Sequence, residues 1–166
     1  MMKARRHLAI HAEALRSAMR SWATGVTVVT AAAGGRRHGM TVSSFTSISL
    51  DPPLVLVSLA NTTLTGDLVR RCGHFGVTIL SQGQEAISEA FAGRVPEEGD
   101  RFSGFETELL ASGVPFLKGG LAYFDCRLVE TVPSGGTTLF LGEVTEARTF
   151  DGQPLVYFNR DYQGLC

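Results

Sequence analysis

A run rich in small hydroxyl residues, from Gly39 to Ala60, constrains this chain more than any other stretch. Ser and Thr crowd its first half, a Pro-Pro pair follows, and an apolar stretch ends in Ser58-Leu59-Ala60. Small hydroxyl side chains leave the backbone accessible, so hydroxyl and backbone N–H donors together suit a phosphate or a ribityl chain. The alternative is an ordinary Ser- and Thr-rich strand, and composition alone favours that alternative.

Length and composition predict one globular domain over residues 1–166, with 1–10 as a frayed terminus. The 19 glycines fit a turn-rich β protein whose backbone lies close to a ligand. The net charge is −1, and Lys and Arg are scattered, so no basic surface for nucleic acid is indicated.

The three cysteines lie far apart, and no C-x-x-C motif occurs. This spacing argues against a disulfide framework and for a reducing compartment. Cys72 and Cys126 are predicted to be small core residues, and Cys166 to be exposed. The chain shows neither a signal-peptide pattern nor an apolar run of the ~20 residues that a membrane helix needs. We therefore predict a cytoplasmic protein without membrane contact.

Periodicity predicts peripheral helices and six or seven strands, a pattern that indicates a barrel rather than βαβ units. Two long β runs joined across Pro133–Gly136 indicate a hairpin, and a long irregular segment is expected from Arg94 to Gly120. Helices are predicted over 11–24, from a Thr62 or Thr63 cap to Arg71, and over 84–92; strands are predicted over 26–33, 38–49, 54–60, 74–80, 121–132, 138–149 and 155–158.

Several common sites are missing from the sequence. It has no G-x-G-x-x-G, no Walker loop and no G-x-S-x-G elbow. His7 and His11 stand at i, i+4, but no Cys or neighbouring ligand pair completes a site in the frayed terminus, so no metal is predicted. A chain poor in acid–base motifs and rich in Ser, Thr and Gly suits an enzyme whose cofactors carry the chemistry.

The order of five elements around the Ser/Thr run carries a resemblance: Met19 to Thr30 before it, Phe75-Gly76-Val77-Thr78-Ile79-Leu80 after it, then Asp100-Arg101-Phe102, Phe140-Leu141-Gly142-Glu143-Val144 and Pro154 to Tyr162. This series resembles the flavin reductase family of FMN-binding split barrels, the small components of two-component flavin monooxygenases. The resemblance runs from about Leu15 to Tyr162. It implies a mainly β fold, a six-stranded Greek-key split barrel with peripheral helices.

The resemblance also implies site residues and ligands. FMN or FAD would be the flavin, and NADH or NADPH would be the hydride donor. Gly39, Met40, Thr41, Ser43 and Ser44 would line the ring and ribityl chain. Ser58, Leu59 and Ala60 would contact the ring edge or the ribityl chain from the next strand, Thr63 and Thr65 would bind the phosphate, and Phe91 would pack near the flavin. Core packing is the alternative for Leu59 and Phe91, and helix capping is the alternative for Thr63.

Two positions depart from the family pattern. Thr78 stands where the family usually has Asn. Thr137 stands where the family commonly has a His associated with nicotinamide binding. The tail is retained, so Arg160 and Tyr162 remain candidates for the nicotinamide side.

The resemblance thus predicts an NAD(P)H-dependent flavin reductase, a homodimer that supplies reduced flavin to a separate monooxygenase by diffusion. Loss of the His favours a rival, a flavin-binding protein without efficient turnover. A plain β-barrel interaction module is a third possibility, and it would stay colourless with added flavin.

Overall fold

The computed structural model describes residues 11–93 and 100–165, and they form a mainly β protein. The predicted frayed segment 1–10, with His7, lies outside these residues, as does Cys166. Within the described part of the chain, none of the helices is both long enough and apolar enough to cross a bilayer.

The main sheet has seven antiparallel strands, and it is not closed. Its spatial order is β3-β2-β6-β9-β10-β5-β4. The strands are β2 Thr27–Ala33, β3 Arg36–Val42, β4 Thr46–Leu50, β5 Pro53–Ala60, β6 His74–Ile79, β9 Ala122–Ser134 and β10 Thr137–Thr149. Three short strands form a second sheet, β1 Thr24–Gly25, β11 Val156–Phe158 and β12 Asp161–Gln163, and β7 Thr107–Leu109 pairs with β8 Pro115–Leu117.

The two edge strands of the main sheet are neighbours in sequence. Only residues 43–45 join the end of β3 to the start of β4. Because an extended residue spans at most about 3.6 Å, this link holds the two edges close together, and the sheet must curl. The short link therefore defines the place where the curled sheet is open.

Two sequence predictions about these elements were wrong. The strand predicted over 38–49 is two strands, because β3 pairs with β2 while β4 pairs with β5, and one straight strand cannot reach both partners. The helix predicted over 11–24 is shorter: α1 covers Ala12–Met19, and Thr24 pairs with Tyr157 of β11 instead. The residues whose spacing predicts the longer helix, Leu15, Met19 and Trp22, are exposed and do not pack the helix against the core. The pairing of Thr24 with β11 then ends the helix early.

The remaining helices and the hairpin are confirmed. Helix α2 covers Leu64–Cys72 with Thr63 as its cap, and α3 covers Glu85–Phe91. The β9–β10 hairpin turns at Gly135, whose φ of 63° favours glycine. Strand β12 was not predicted, and the region expected to be irregular contains β7 and β8.

Three apolar clusters form the core. The largest lies between the main sheet and α2, and Phe75, Phe140 and Leu59 belong to it. The second joins α3 to the C-terminal sheet through Phe91, Phe102 and Leu155. The third lies under β8 around Phe116 and Tyr123. Cys126 is buried as predicted, while Cys72 is half-buried.

Candidate functional site

A groove follows the opening of the sheet, and we call it the Ser43 groove. It consists of three cavities of about 520, 270 and 150 Å³, and Thr24 and Ser43 line all three. Its walls come from the 43–45 link, from β1 and from the C-terminal sheet of β11 and β12. Cavities of 300–1,000 Å³ are the usual size for small ligands, so the 520 Å³ part alone has room for one.

Ser44 fixes the link to the neighbouring strand. Its Oγ accepts a hydrogen bond from the backbone N of Ser58 at 2.9 Å and donates one to the carbonyl oxygen of Ser58 at 3.0 Å. The side chain therefore replaces a missing ladder partner on β5. Two of the predicted flavin residues are thus joined directly, and Ser44 acts on the position of the link.

The backbone of the groove is accessible. Among the described residues, no group accepts a hydrogen bond from the backbone N–H groups of residues 43–45. A Cβ added at Gly25, on the facing wall, would meet no atom within 4 Å. Free N–H donors opposite an open backbone suit a planar, oxygen-bearing ligand.

The C-terminal hairpin lies along one end of the groove. Tyr162 Oη contacts Ser88 Oγ at 2.8 Å and hydrogen-bonds Glu89 of α3. Its ring lies edge-on to that of Tyr157, with centroids 5.3 Å apart. Thr41 donates to the carbonyl oxygen of Ser88 at 2.7 Å, so α3 anchors both β3 and the tail beside the groove.

Other predicted flavin residues belong to the core. Leu59 and Phe91 are each 1% exposed and lie in different apolar clusters. Gly39 is buried under Phe91, since an added Cβ would lie 2.9 Å from that ring, and Met40 packs against the largest cluster. For Leu59 and Phe91, this placement favours the core-packing alternative.

The two threonines assigned to phosphate have partners within the protein. Thr63 caps α2, accepting from the backbone N of Gly66 at 3.3 Å and donating to the carbonyl oxygen of Ala60 at 2.9 Å. Thr65 is fully buried, and its Oγ1 lies 2.8 Å from His38 Nδ1. The capping alternative for Thr63 therefore holds in this structure.

Thr137 lies away from the tail. It begins β10 opposite Ala60, and its hydroxyl donates to the carbonyl oxygen of Ser134 at 3.0 Å. Arg160 and Tyr162 belong to the other sheet, at the turn and in strand β12. The structure thus places the three nicotinamide-side candidates in two separate regions of one chain.

Sequence reasoning missed several groove residues. Trp22 lies beside Thr24 and Gly25 on the wall, and Arg16, Arg20 and Tyr157 line one end. Two elements of the resemblance, Met19 to Thr30 and Pro154 to Tyr162, contain Arg20, Trp22 and Tyr157, but the periodicity predicts a helix through residue 24 and so hides the first of them.

A larger cavity of about 630 Å³ lies elsewhere, at the β2–β3 turn. An ion pair joins Arg37 to Asp100 there, with Nε 2.8 Å from Oδ2, and the hydrogen bond from Arg37 lowers the pKa of Asp100. No residue predicted to bind flavin lines this cavity, so size alone does not identify the site. Among the described residues, no cluster of His, Cys, Asp and Glu could hold a metal.

Comparison with known proteins agrees with the fold. The reductase component of 4-hydroxyphenylacetate 3-monooxygenase from Thermus thermophilus is 40% identical over 92% of this chain and 96% of its own length. The structure of the flavin reductase PheA2 superposes with a TM-score of 0.87 at 38% identity, covering 95% and 99% of the two chains. SgcE6, the NADH:FAD oxidoreductase of Streptomyces globisporus, was solved with NAD and FAD fragments and superposes with a TM-score of 0.85 at 32% identity, over 92% and 91%.

The family model described as the flavin reductase like domain matches residues 19–165. This range begins at the end of α1 and includes every strand of the structure. The chain therefore belongs to the flavin reductase like domain family.

Proposed function

We propose that this protein is an NAD(P)H-dependent flavin reductase that supplies reduced FMN or FAD to a separate monooxygenase. The observation that carries the proposal is the Ser43 groove, whose free backbone donors and open Gly25 wall lie within the matched family domain. The Thermus thermophilus relative is a monooxygenase reductase component and PheA2 is a flavin reductase, and both cover more than nine-tenths of this chain, which supports the same reaction.

The groove residues fit a flavin. Backbone N–H groups of 43–45 are placed to donate to pyrimidine or phosphate oxygens, and Ser44 holds them in position through Ser58. Gly25 lets a planar ring approach the backbone, since its position has no Cβ and faces open space. With both bound, the nicotinamide and the flavin would supply the hydride-transfer chemistry, with the accompanying proton taken up from solvent as H⁺, and the 43–45 link and Gly25 would hold the flavin ring in position.

The protein contributes positioning rather than acid–base chemistry. Holding the nicotinamide and flavin rings stacked would convert a bimolecular reaction into an effectively unimolecular step. Water must be excluded from the site while that step occurs. Tyr162, held by Ser88 and Glu89 at the groove end, is placed to close one side.

The rival candidate, a flavin-binding protein without turnover, rests on Thr137 standing where the family commonly has His. Anaerobic stopped-flow mixing decides between the two. We expect NADH or NADPH to bleach the absorbance of added FMN or FAD, and each pair of substrates is tested separately. Flavin that binds but is never reduced would refute the reductase and leave the rival.

The assembly is proposed to be a homodimer of a single-domain, cytoplasmic protein. Its support is exposed apolar surface just after α1, where Trp22 is 65% exposed, and on the β9–β10 hairpin, where Val129 is 49% exposed. Light scattering at micromolar concentration should give twice the 17.8 kDa chain mass. A mass equal to one chain would contradict this.

The finer fold assignment is also proposed. The seven-stranded sheet is a form of the six-stranded Greek-key split barrel, opened between β3 and β4. The 43–45 link supports it, because it brings the two edges together without pairing them.

A further inference from the structure

We propose that Arg16, Arg20 and Arg160 form a subsite for the diphosphate of a dinucleotide at one end of the Ser43 groove. The ligand chemistry is shared by NAD(P)H and FAD, and the inference rests on the proposed function only in naming these two sources. Nothing in the reductase reaction itself requires three arginines here.

The first argument is position. The three arginines line one cavity of about 270 Å³, together with Thr24 and Ser43, which also line the adjoining flavin-sized cavity. A dinucleotide with its ring in the larger cavity therefore has its diphosphate within reach of the smaller one. Guanidinium groups match phosphate oxygens through paired N–H donors.

The second argument is the state of Arg20. Its Nε is buried and has no hydrogen-bond partner among the described residues. An unsatisfied buried donor is costly, so such a group usually has a functional explanation. The backbone oxygen of Arg20 accepts from Asn159 N at 3.1 Å, which fixes the helix end to the turn that carries Arg160.

The third argument is the backbone at Arg160. Its φ is 68° and that of Asn159 is 49°, so both residues are left-handed. Asn tolerates this region, whereas a long side chain such as that of Arg is strained there. A glycine at this position would remove the strain. The presence of arginine at this turn is therefore best explained by a role for its guanidinium group.

The local charge balance is positive. Glu13 pairs with Arg16 at 3.5 Å and with Arg20 at 3.2 Å, and these exposed pairs are weak. Asp161, next to Arg160, accepts from Tyr162 N and from Gln163 Nε2 within its own strand. Among the described residues, three guanidinium groups stand against two carboxylates, Glu13 and Asp161, which leaves a net positive charge for the two phosphates.

The experiment uses the full chain and two variants, Arg20→Gln and Arg160→Gly, with Arg71→Ala as the control. Arg71 is an exposed arginine in the last turn of α2, away from the groove. Calorimetry measures the Kd of NAD⁺ with FMN present and the Kd of inorganic pyrophosphate alone. Quenching of flavin fluorescence measures the Kd of FAD and of FMN, and thermal unfolding checks that each variant is folded.

We expect both variants to weaken pyrophosphate binding about tenfold, the effect of losing one charge-assisted contact. If the source is NAD(P)H, the Kd of NAD⁺ rises similarly while FAD and FMN are unaffected; if it is FAD, the Kd of FAD rises and that of FMN does not. Arg160→Gly should also raise the melting temperature, because strain is relieved.

Unchanged dissociation constants in both variants, or an equal loss in Arg71→Ala, would overturn the subsite. That result would leave the reductase assignment intact, since reduction of FMN by wild type is measured separately. Conversely, wild type that never reduces flavin while pyrophosphate binding still depends on Arg20 and Arg160 would reject the reductase and support the subsite.

Discussion

The hydroxyl of Ser44 both accepts from and donates to the backbone of one residue, Ser58. This pair of hydrogen bonds arises because the link between β3 and β4 passes beside β5 without pairing with it. Ser44 thereby fixes the position of its own segment, whose backbone N–H groups have no acceptor among the described residues. Flavin affinity and local stability are consequently expected to depend on the same side chain.

Replacing Ser44 with Ala tests this dependence. Both hydrogen bonds are lost, and the backbone groups of Ser58 are left without this partner, so unfolding should become easier by about 1–3 kcal/mol. The Kd for FMN, measured by fluorescence quenching, should rise about tenfold. Ser44→Asp should weaken binding further, because a carboxylate near phosphate or ribityl oxygens is repulsive.

Ser47→Ala is the matched control, an exposed serine of the neighbouring strand β4. It should change neither stability nor affinity. A Ser44→Ala protein that binds FMN as well as wild type would remove this residue from the site.

Leu59 and Phe91 test packing against ligand contact. Leu59→Ala or Phe91→Ala leaves a cavity in the core, which should cost about 3–5 kcal/mol in the free energy of unfolding. Flavin affinity of the fraction that remains folded should change less than twofold, as urea unfolding and fluorescence titration will show. A large affinity loss without loss of stability would return either residue to the flavin site.

Tyr123 gives the protein a dependence on alkaline pH. Burial, reinforced by the Glu108 carboxylate, raises the pKa of Tyr123 to about 12 from 10.0. The folded state thus favours the neutral phenol, so its contribution is complete below pH 10 and is lost as the pH rises toward 12. Between pH 9 and 11, the free energy of unfolding of wild type should fall by about 1 kcal/mol more than that of Tyr123→Phe. Equal losses in chemical denaturation would contradict this.

The sequence predicted elements wherever local chemistry decides them. Glycines at the β9–β10 turn and a threonine before α2 were sufficient for the hairpin and the capped helix. The break at residues 43–45 was missed, because a Ser-rich strand and a Ser-rich link have the same local conformational preference. Only the pairing of β3 with β2 distinguishes the strand from the link.

The site was predictable in part for the same reason. Ser43 and Ser44 stand out as small hydroxyl residues, and the structure places both at the groove. Burial of Leu59 depends on which face of β5 it occupies, and burial of Phe91 depends on where α3 packs. The arginine cluster joins residues about 140 positions apart, which no local pattern reveals.

The tail should affect the nicotinamide more than the flavin. Tyr162→Phe removes the hydroxyl that reaches Ser88 and Glu89 but keeps the ring on Tyr157. We expect KM for NADH to rise several-fold with the Kd of FMN unchanged. Truncation after Phe158, which removes β12, should raise KM further or lower kcat sharply.

The comparison variant in this strand is Gln163→Ala, whose exposed side chain contacts only Asp161 among the described residues. It should leave both constants as in wild type. If truncation changed neither KM nor kcat, the tail would have no part in the hydride donor's site.

Thr137→His restores the residue that the family commonly has at the start of β10. Residue 137 lies away from the groove of its own chain, so this prediction requires the hairpin of one subunit of the proposed homodimer to reach the nicotinamide bound by the other. An imidazole there would donate to the nicotinamide carboxamide, so we expect KM for NADH to fall severalfold while the Kd of FMN stays constant. Thr137 is half-buried, and its hydroxyl donates to the carbonyl oxygen of Ser134 across the turn, so a larger ring is expected to point outward there. Ser134→His, which puts the same ring on the opposite strand of the hairpin, should not change KM. Steady-state kinetics with saturating FMN measures both variants, and a KM that rises in Thr137→His, or falls equally in Ser134→His, would show that this hairpin position does not contact the nicotinamide.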